Sequence, residues 1–271
     1  MDVSIVIPLF NQLEYTKQCV ESLRNHSTEN VEVLLIDNGS SDGTGDYLAT
    51  CTDLNVIRNR ENLGCAGAWN QGVRETGSEW VVILNNDVIV SSGWLSGLLA
   101  AAERERFDVV SPGIREGDHN YDIESYARDY VARMHDAVRR GVADGICFMV
   151  HRRVFEAIGQ FDENFRIGQF EDADFFRRAA LAGFRLGTTG NSFIHHFGSV
   201  TQKALGQGRI EKPYVAENRA YFRKKWQLTW WRRLIERRCR KWRELIWRVG
   251  ERLFHGHTLK EKWLDGRLRY F

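Results

Sequence analysis

The chain has 271 residues, of which 43% are hydrophobic and 27% are charged, and its formal net charge is +2. This composition is typical of a soluble globular protein and excludes a disordered or collagen-like chain. No apolar stretch reaches the length of a membrane span, and the five cysteines lack the spacing of zinc or redox motifs. Membrane-spanning proteins and small proteins stabilised by a structural metal are therefore excluded as well.

Charge is distributed unevenly along the chain. Residues 219–271 hold 17 Lys/Arg and 5 Asp/Glu, whereas residues 1–218 are acidic overall. This asymmetry predicts an acidic catalytic body and a basic C-terminal arm. Nothing at the N-terminus resembles a signal peptide, and cysteines without a pairing pattern suit a reducing compartment. We therefore expect a cytoplasmic protein.

Strands and helices alternate in the first half of the chain. Apolar runs predict strands at 3–7, 31–36, 55–57 and 81–84. Apolar or small residues at helical spacing predict helices at 14–24 and 62–75, with a short helix after 44. The alternation predicts an α/β fold in which helices flank a mostly parallel, Rossmann-like sheet.

Residues 81–90, Val-Val-Ile-Leu-Asn-Asn-Asp-Val-Ile-Val, form the centre of the predicted fold. The β-branched runs on both sides indicate buried strands, and Asp87 comes where the first of them ends. Because ligands bind beyond the carboxyl ends of parallel strands, Asp87 is a candidate ligand for a divalent cation. The alternative is a simple turn, since Asn-Asn-Asp is also good turn chemistry.

Two further segments are candidates for nucleotide binding. Asp37 ends the second strand and can accept hydrogen bonds from a base or ribose, or else it forms an Asx-turn or helix cap. In residues 62–70, Gly64 and Gly67 allow the backbone to approach a ligand, and a helix N-terminus there favours a diphosphate. The alternative for this segment is tight helix–strand packing. It matches neither the Walker loop nor the dinucleotide fingerprint.

The second half contains less regular patterns. We predict helices at 94–103 and 153–158 and strands at 107–111 and 144–150. Residues 113–140 are polar and poorly periodic, and we expect them to form an excursion over the sheet edge.

A helix beginning near residue 171 opens with three carboxylates, Glu171, Asp172 and Asp174. Favourable interaction with the helix dipole is one explanation. Capping needs only one carboxylate, however, and clustered negative charges raise one another's pKa toward that of a usable base. The adjacent His195 and His196 are candidate metal ligands beside Asp87, and either imidazole could ligate.

Seven short motifs occur along the chain in a definite order. They are Ser4-Ile-Val-Ile-Pro-Leu-Phe-Asn11, Ile36-Asp-Asn-Gly-Ser-Ser-Asp-Gly-Thr44, Asn62-Leu-Gly64, Leu84-Asn-Asn-Asp87, Gly159-Gln-Phe-Asp-Glu-Asn-Phe165, Glu171-Asp172 and His196-Phe-Gly-Ser199. Each is weak alone, but the ordered set resembles family-2 glycosyltransferases of the GT-A fold. It is especially similar to bacterial members that build rhamnose-containing and other cell-surface glycans. The resemblance covers approximately residues 1–215.

The resemblance implies an inverting hexosyl- or deoxyhexosyltransferase. Its donor would be a nucleotide-diphosphate sugar, and its acceptor a hydroxyl on a glycan, lipid-linked or protein molecule in bacterial surface polysaccharide biosynthesis. Asn85-Asn86-Asp87 stands where the family has its Asp-x-Asp motif, so Mn²⁺ or Mg²⁺ would be held by Asp87 with His196 or His195. Asp172 matches the general base, with Glu171 beside it. The implied nucleotide-sugar contacts are Pro8, Phe10, Asn11, Asp37, Asn62, Gly64, Asn70 and Asn86.

The residue inventory suits this chemistry. An inverting transfer needs one base, and a metal rather than a protein acid neutralises the leaving diphosphate. A retaining double displacement needs a second carboxylate as nucleophile, for which there is no compelling candidate. Two alternatives stay open, namely a non-catalytic nucleotide-sugar-binding protein and a nucleotidyltransferase-like protein. The latter lacks its basic, glycine-rich phosphate loop, because Pro8-Leu-Phe-Asn11 stands in that place.

We divide the chain into a catalytic domain at 1–215 and a basic, Trp-rich tail at 216–271. Within the catalytic domain, residues 1–110 form the nucleotide-sugar-binding half and residues 111–215 the acceptor and catalytic half.

The tail predicts a long amphipathic helix. Apolar residues recur at three- and four-residue steps from Trp231 to Leu253, and arginines and lysines fill the opposite face. Such a helix typically lies in an anionic membrane surface, so we expect peripheral attachment at the inner face of the cell membrane through residues 226–254. The alternatives are packing on the catalytic domain or on a second subunit of a homo-oligomer. Nucleic acid is not an expected partner, because aromatic residues on a regular stripe are not free to stack on bases.

Overall fold

The computed structural model describes residues 2–26, 31–198 and 213–271. Ser199 of the last motif and residues 199–212 of the predicted acceptor and catalytic half therefore lie outside the described residues. The strands are β1 (Val3–Leu9), β2 (Val31–Asp37), β3 (Asn55–Arg58), β4 (Trp80–Leu84), β5 (Val88–Val90), β6 (Val109–Glu116), β7 (Val138–Arg140), β8 (Cys147–His151), β9 (Leu186–His196), β10 (Lys260–Leu264) and β11 (Arg267–Tyr270). The helices are α1 (Leu13–His26), α2 (Thr44–Thr50), α3 (Gly64–Glu75), α4 (Trp94–Glu105), α5 (Ile123–Met134), α6 (Arg152–Ile158), α7 (Glu171–Leu181), α8 (Pro213–Lys225) and α9 (Trp230–His255).

The strands join in one sheet with the order β11-β10-β6-β8-β4-β1-β2-β3, and β9 pairs beside β6. Strands β3, β2, β1 and β4 run parallel. β8 lies antiparallel between β4 and β6, whereas β6 is parallel to both β9 and β10. The predicted fold class, a mostly parallel sheet flanked by helices with a C-terminal helical extension, is confirmed.

Helices cover both faces of this sheet. Every residue of β4 is buried, as expected for a strand between two helical layers. One face packs against α1 and α4 through residues such as Leu23 and Trp94. The other packs against α3, α6 and α7 through residues such as Trp69 and Phe175. Because apolar burial is the main favourable term in folding, these two layers hold the strand ends in fixed positions.

Residues 113–140 contain regular structure, which corrects the expectation of a polar excursion. β6 continues to Glu116, and α5 and β7 follow it. α5 buries Ala127, Tyr130 and Met134 against Phe193 of β9. These three residues recur at helical spacing between charged residues, so an amphipathic pattern was present but sparse.

The end of the chain also differs from the prediction of a wholly helical tail. β10 and β11 form an antiparallel hairpin, and β10 pairs in parallel with β6 from Lys260↔Ile114 to Lys262↔Glu116. The tail therefore completes the sheet of the catalytic domain. In the part of the chain that the structure describes, no helix combines the length and apolarity needed to cross a membrane.

Candidate active site

A cleft of about 230 Å³ lies at the ends of β1 and β4, and we call it the strand-end cleft. Strands β1, β2 and β4 are parallel neighbours, so their carboxyl ends meet at one edge, where α/β sheets bind ligands. The lining residues are Pro8, Leu9, Phe10, Asn38, Asn62, Cys65, Asn85, Asn86, Asp87, Glu116, Ile146, Ile167 and His196.

Asp87 and His196 meet inside this cleft. Asp87 Oδ1 lies 3.3 Å from His196 Nε2, and both residues are buried. Their proximity follows from strand register, because β5 and β9 pair Val88 with His196. Burial lowers the pKa of His196, but hydrogen bonding and the charge of Asp87 outweigh it, so the net pKa is raised. Asp87 and His196 thus place a carboxylate and an imidazole at ion-pair distance in the cleft.

The neighbouring His195 faces the opposite side of β9, as the alternation of strand side chains requires. Its Nδ1 lies 3.0 Å from Tyr121 Oη, and its ring packs against His119 and Phe197. Burial is the main reason that the pKa of His195 falls to about 3. Of the two histidines predicted as metal ligands, only His196 lines the cleft.

Asp87 and His196 provide an oxygen and a nitrogen donor that suit a divalent cation, and two protein ligands are enough for such a site. Among the described residues, no three His, Cys, Asp or Glu side chains converge to hold a metal by themselves. Mg²⁺ at phosphate sites commonly takes only one or two protein ligands, and substrate phosphates and water complete the shell. His196 Nδ1 is buried without a hydrogen-bond partner in the described part of the chain, so this ring nitrogen is available for a further bond.

Four of the predicted nucleotide-sugar contacts, Pro8, Phe10, Asn62 and Asn86, line the cleft. Asn86 also has a structural role, because its Nδ2 donates to Thr16 Oγ1 at 2.9 Å. That bond ties the end of β4 to α1.

Gly64 has a packing role at the edge of the cleft. Its φ is 77°, and a Cβ at this position would lie 3.1 Å from the backbone nitrogen of Ile167. Gly64 N donates to Asn62 Oδ1 at 2.8 Å, and Cys65 N donates to the Ile167 carbonyl at 2.8 Å. Two of the first amides of α3 are therefore bonded within the protein, and the diphosphate site that the glycines suggest stays a prediction.

Asp37 and Asn11 hold loops together and do not line the cleft. Asp37 Oδ1 accepts a hydrogen bond from Ser40 N at 2.9 Å, and its Oδ2 lies 3.5 Å from Arg58 Nε. Asn11 Oδ1 accepts one from Ser41 N at 2.8 Å. The Asp37 carboxylate thus bonds within its own turn, to the backbone three residues further on.

Asn70 is buried and is not among the residues that line the cleft, so its place beside the nucleotide stays a prediction. Its Nδ2 donates to the Phe161 carbonyl at 2.9 Å and to Glu163 Oε1 at 2.7 Å, while its Oδ1 accepts from Phe161 N at 2.9 Å. Asn70 thus fixes the loop between α6 and α7 and has little bonding capacity left for a ligand.

Asn38 is a cleft residue that the sequence reasoning missed. Its Nδ2 donates to Asn62 Oδ1 at 2.8 Å, and its Oδ1 accepts from Leu63 N at 3.0 Å. Asn38 directly follows Asp37 in the run of turn-forming residues, and this position could have marked it as a cleft residue. Glu116 and Ile146 also line the cleft but come from segments without a motif.

The three carboxylates at the start of α7 have different surroundings. Asp174 is fully buried and bound by Arg178 Nε at 2.9 Å, Lys225 Nζ at 2.8 Å and Trp226 Nε1 at 3.0 Å. It therefore joins α7 to α8. Glu171 is buried, and its Oε2 has no hydrogen-bond partner among the described residues.

Asp172 lies half-buried against Gly145, so closely that a Cβ on this glycine would overlap Asp172 Oδ2. Burial, followed by the charge of Asp144, raises the pKa of Asp172. Burial, followed by the charge of Asp172, raises the pKa of Glu171 to about 8. Two adjacent carboxyl groups with raised pKa values are the electrostatic arrangement expected of a base that works near neutral pH.

The loop that leads into α7 is held in an unusual conformation. Ile167, Gln169 and Phe170 have φ values of 63°, 78° and 78°, which side-chain-bearing residues rarely adopt. Buried Asn218 of α8 binds this loop through Nδ2, which donates to the carbonyls of Arg166, Gly168 and Gln169 at 2.9, 2.9 and 3.2 Å. The loop thus connects α8, the acidic residues of α7 and the cleft wall at Ile167.

The sheet order, with a cleft at the carboxyl ends of its parallel strands, defines an open α/β fold with a ligand cleft in the usual place. Residues 4–165 match the family described as glycosyl transferase family 2, and the chain belongs to that family. An uncharacterised protein of Mycobacterium tuberculosis is 32% identical over 213 residues, which cover 74% of this chain and 76% of the relative. The glycosyltransferase AglE of Haloferax volcanii is 24% identical over 224 residues, 77% of this chain and 73% of the relative. These findings support a role in glycosyl transfer.

Solved structures have the same fold at low sequence identity. TarS of S. aureus, residues 1–349, superposes with a TM-score of 0.57 at 16% identity, over 72% of this chain and 60% of that one. GalNAc-T7, solved with UDP, GalNAc and Mn²⁺, gives a TM-score of 0.58 at 16% identity, over 72% of this chain and 44% of that one. Both structures are longer than the shared region.

Proposed function

We propose that the protein transfers a sugar from a nucleotide-diphosphate donor to an acceptor hydroxyl with inversion at the anomeric carbon, and that Asp172 is the base. The observation that carries this proposal is the contact between Asp172 and Gly145. The next residue, Ile146, lines the strand-end cleft. A donor diphosphate in that cleft and an acceptor hydroxyl near Gly145 would lie on opposite sides of the transferred sugar, as inversion requires.

The reaction then uses few protein groups. The acceptor oxygen attacks the anomeric carbon, the bond from that carbon to the nucleotide diphosphate breaks, and the hydroxyl proton passes to Asp172. Burial raises the pKa of Glu171, to about 8, and that of Asp172, so the pair is suited to accept a proton near neutral pH. A cation held by Asp87 and His196, Mn²⁺ or Mg²⁺, would neutralise the leaving diphosphate.

The donor chemistry and biological setting are part of the same proposal. We assign a hexosyl or deoxyhexosyl donor and a glycan, lipid-linked or protein acceptor in bacterial surface glycan assembly, on the strength of the family motifs. The GalNAc-T7 structure contains UDP and Mn²⁺, which supports a nucleotide donor and a metal for this chain as well.

The exposed face of α9 supports peripheral membrane attachment. Trp231, Trp242 and Ile246 are 59%, 66% and 67% exposed, so their apolar stripe is not packed on the catalytic domain. Arginines flank the stripe, and the combination suits the apolar interior and the negative charge of an anionic leaflet. We therefore propose that the protein acts at the inner face of the cell membrane.

The test is release of nucleotide diphosphate from a panel of UDP-, GDP- and dTDP-sugars by the full chain, with and without Mn²⁺ and with glycan acceptors. We expect release with one donor class, and a fall on the order of 100-fold or more in Asp172→Asn, which keeps the side-chain shape but removes the base. Donor binding should persist in that variant. Absence of release with every donor, or equal turnover by Asp172→Asn, would overturn the proposed function.

A further inference from the structure

A second and larger cavity of about 760 Å³ lies between α9 and the sheet, and we call it the tail groove. Glu116 and Ile146 line both the tail groove and the strand-end cleft, so the two cavities share a wall. The volume is in the range of small-molecule binding sites. Apolar side chains from the sheet and helix line part of it, among them Ile114, Val142, Leu245, Trp247 and Phe271.

The groove has a fixed shape, because buried polar groups anchor the C-terminal end of α9. Arg139 Nε and Nη2 donate to the two carboxylate oxygens of Glu251, each at 2.7 Å. Leu259 N donates to Glu251 Oε2 at 2.9 Å. Both Arg139 and Glu251 are buried, and such bidentate pairs are geometrically specific. One turn earlier, Trp247 lies beside Arg139, and this helix face therefore points toward the sheet.

The lining of the tail groove carries an excess of positive charge. Seven Lys/Arg but only four Asp/Glu line it. Lys260 and Lys262 pair with Asp144 and Glu116, the latter at 2.6 Å. Arg240 lies 3.8 Å from Glu244. The other groove cations from α9, Lys241, Arg243 and Arg248, form no salt bridge in the described part of the chain. Unpaired cations around an apolar floor are suited to an anionic ligand with an apolar or sugar portion.

The groove also reaches the proposed base. Asp144 and Ile146 line it, and Gly145 between them contacts the Asp172 carboxylate. Lys260 of the groove pairs with Asp144, and the charges of both residues act on Asp172. A ligand in the groove can therefore present a hydroxyl beside Gly145 to the base.

We propose that the tail groove is the acceptor site and that it selects an acceptor bearing a phosphate or diphosphate group. This inference rests on the proposed function, since an acceptor site has meaning only in a transferase. Lys241, Arg243 and Arg248 bind the anionic group, and the apolar floor holds the portion next to it. The acceptor phosphate is unchanged in the reaction, because only its hydroxyl forms a bond to the sugar and gives its proton to Asp172.

The experiment measures binding of geranyl diphosphate, inorganic pyrophosphate and uncharged geraniol to the full chain by titration calorimetry, without vesicles or donor. Geranyl diphosphate should bind more tightly than either fragment. Arg243→Gln combined with Arg248→Gln should weaken it about tenfold or more, because two charge-assisted contacts are lost. The matched control is Arg237→Gln with Arg238→Gln, which removes the same charge from the same helix outside the groove.

Three results would overturn the proposal. These are equal binding of geraniol, equal loss of affinity in both double variants, and displacement of geranyl diphosphate by saturating UDP, GDP or dTDP, which would locate the anion in the strand-end cleft. Failure of the proposed function has a different signature. In that case geranyl diphosphate binding would stay sensitive to Arg243 and Arg248, but no donor would release its nucleotide diphosphate.

Discussion

Asn218 accepts a hydrogen bond from Arg166 N at 3.0 Å and returns one from Nδ2 to the Arg166 carbonyl at 2.9 Å. This one side chain of α8 therefore fixes the strained loop that precedes Glu171 and Asp172. Asn218→Ala should lower kcat about tenfold, with donor affinity retained, and lower the free energy of unfolding by about 2 kcal/mol, since buried carbonyls lose their donor. Kinetics and chemical denaturation measure both effects. The control is exposed Asn164→Ala in the same loop region, and equal kcat values for the two variants would contradict this role.

Gly145 is required by the space that the Asp172 carboxylate occupies. Gly145→Ala would force the carboxylate to move, because the added Cβ overlaps its Oδ2. We expect kcat to fall about tenfold or more, since small displacements of a catalytic group are costly, while donor binding is unchanged. Gly77→Ala is the matched control, because a Cβ there meets nothing within 4 Å. A fully active Gly145→Ala enzyme would argue against Asp172 as the base.

The two adjacent histidines provide an internal control for metal binding. His196→Gln should abolish the enhancement of donor binding by Mn²⁺, as should Asp87→Asn, because each removes one of two protein ligands. His195→Gln should retain the enhancement, since His195 faces Tyr121 on the other side of β9. Titration calorimetry of the nucleotide with and without Mn²⁺ tests this expectation, and thermal unfolding checks each fold. Loss of the metal effect in His195→Gln alone would reverse the assignment.

Glu171 should make stability depend on pH. Its pKa is raised from 4.5 to about 8 in the folded protein, so the folded state binds more protons than the unfolded state between these values. The free energy of unfolding therefore falls as pH rises through this window. Glu171→Gln should be more stable than the wild type at about pH 9, by an amount on the order of 5 kcal/mol, and similar to it near pH 4. Denaturation at both pH values tests this, with exposed Glu75→Gln as the control. An unchanged pH slope in Glu171→Gln would refute the prediction.

The membrane proposal is tested best by substitutions on the exposed face of α9. Removal of the whole tail would also remove β10 from the sheet, so truncation cannot separate attachment from folding. Trp242→Glu with Ile246→Glu should reduce co-sedimentation with anionic vesicles about tenfold, because it places charge on the inserted face. The control is Leu181→Glu, an exposed apolar residue on α7. Unchanged sedimentation, with a change from dimer to monomer in light scattering, would favour a subunit interface.

The sequence alone determined the strand–helix order and the residues at the ends of β1 and β4. Val3–Leu9 is mostly apolar and Trp80–Leu84 is apolar throughout, a pattern typical of short strands buried on both faces. Pro8, Phe10 and Asp87 were predictable at the cleft because they lie at the ends of those runs or shortly after them. The amphipathic pattern of α9 was equally local, since helical spacing is read from neighbouring residues.

The tertiary structure decided which of the candidate polar residues face a ligand. His195 and His196 have the same chemistry, and only the register of β5 against β9 turns His196 toward Asp87. Asn70 and Asn38 have the same side chain, yet a loop about 90 residues away binds the Asn70 amide while Asn38 lines the cleft. The parallel pairing of Lys260–Lys262 with β6 created the tail groove, and no local pattern encodes a contact between residues so distant in the chain. Long-range register and packing, which depend on the whole core, therefore determined the site.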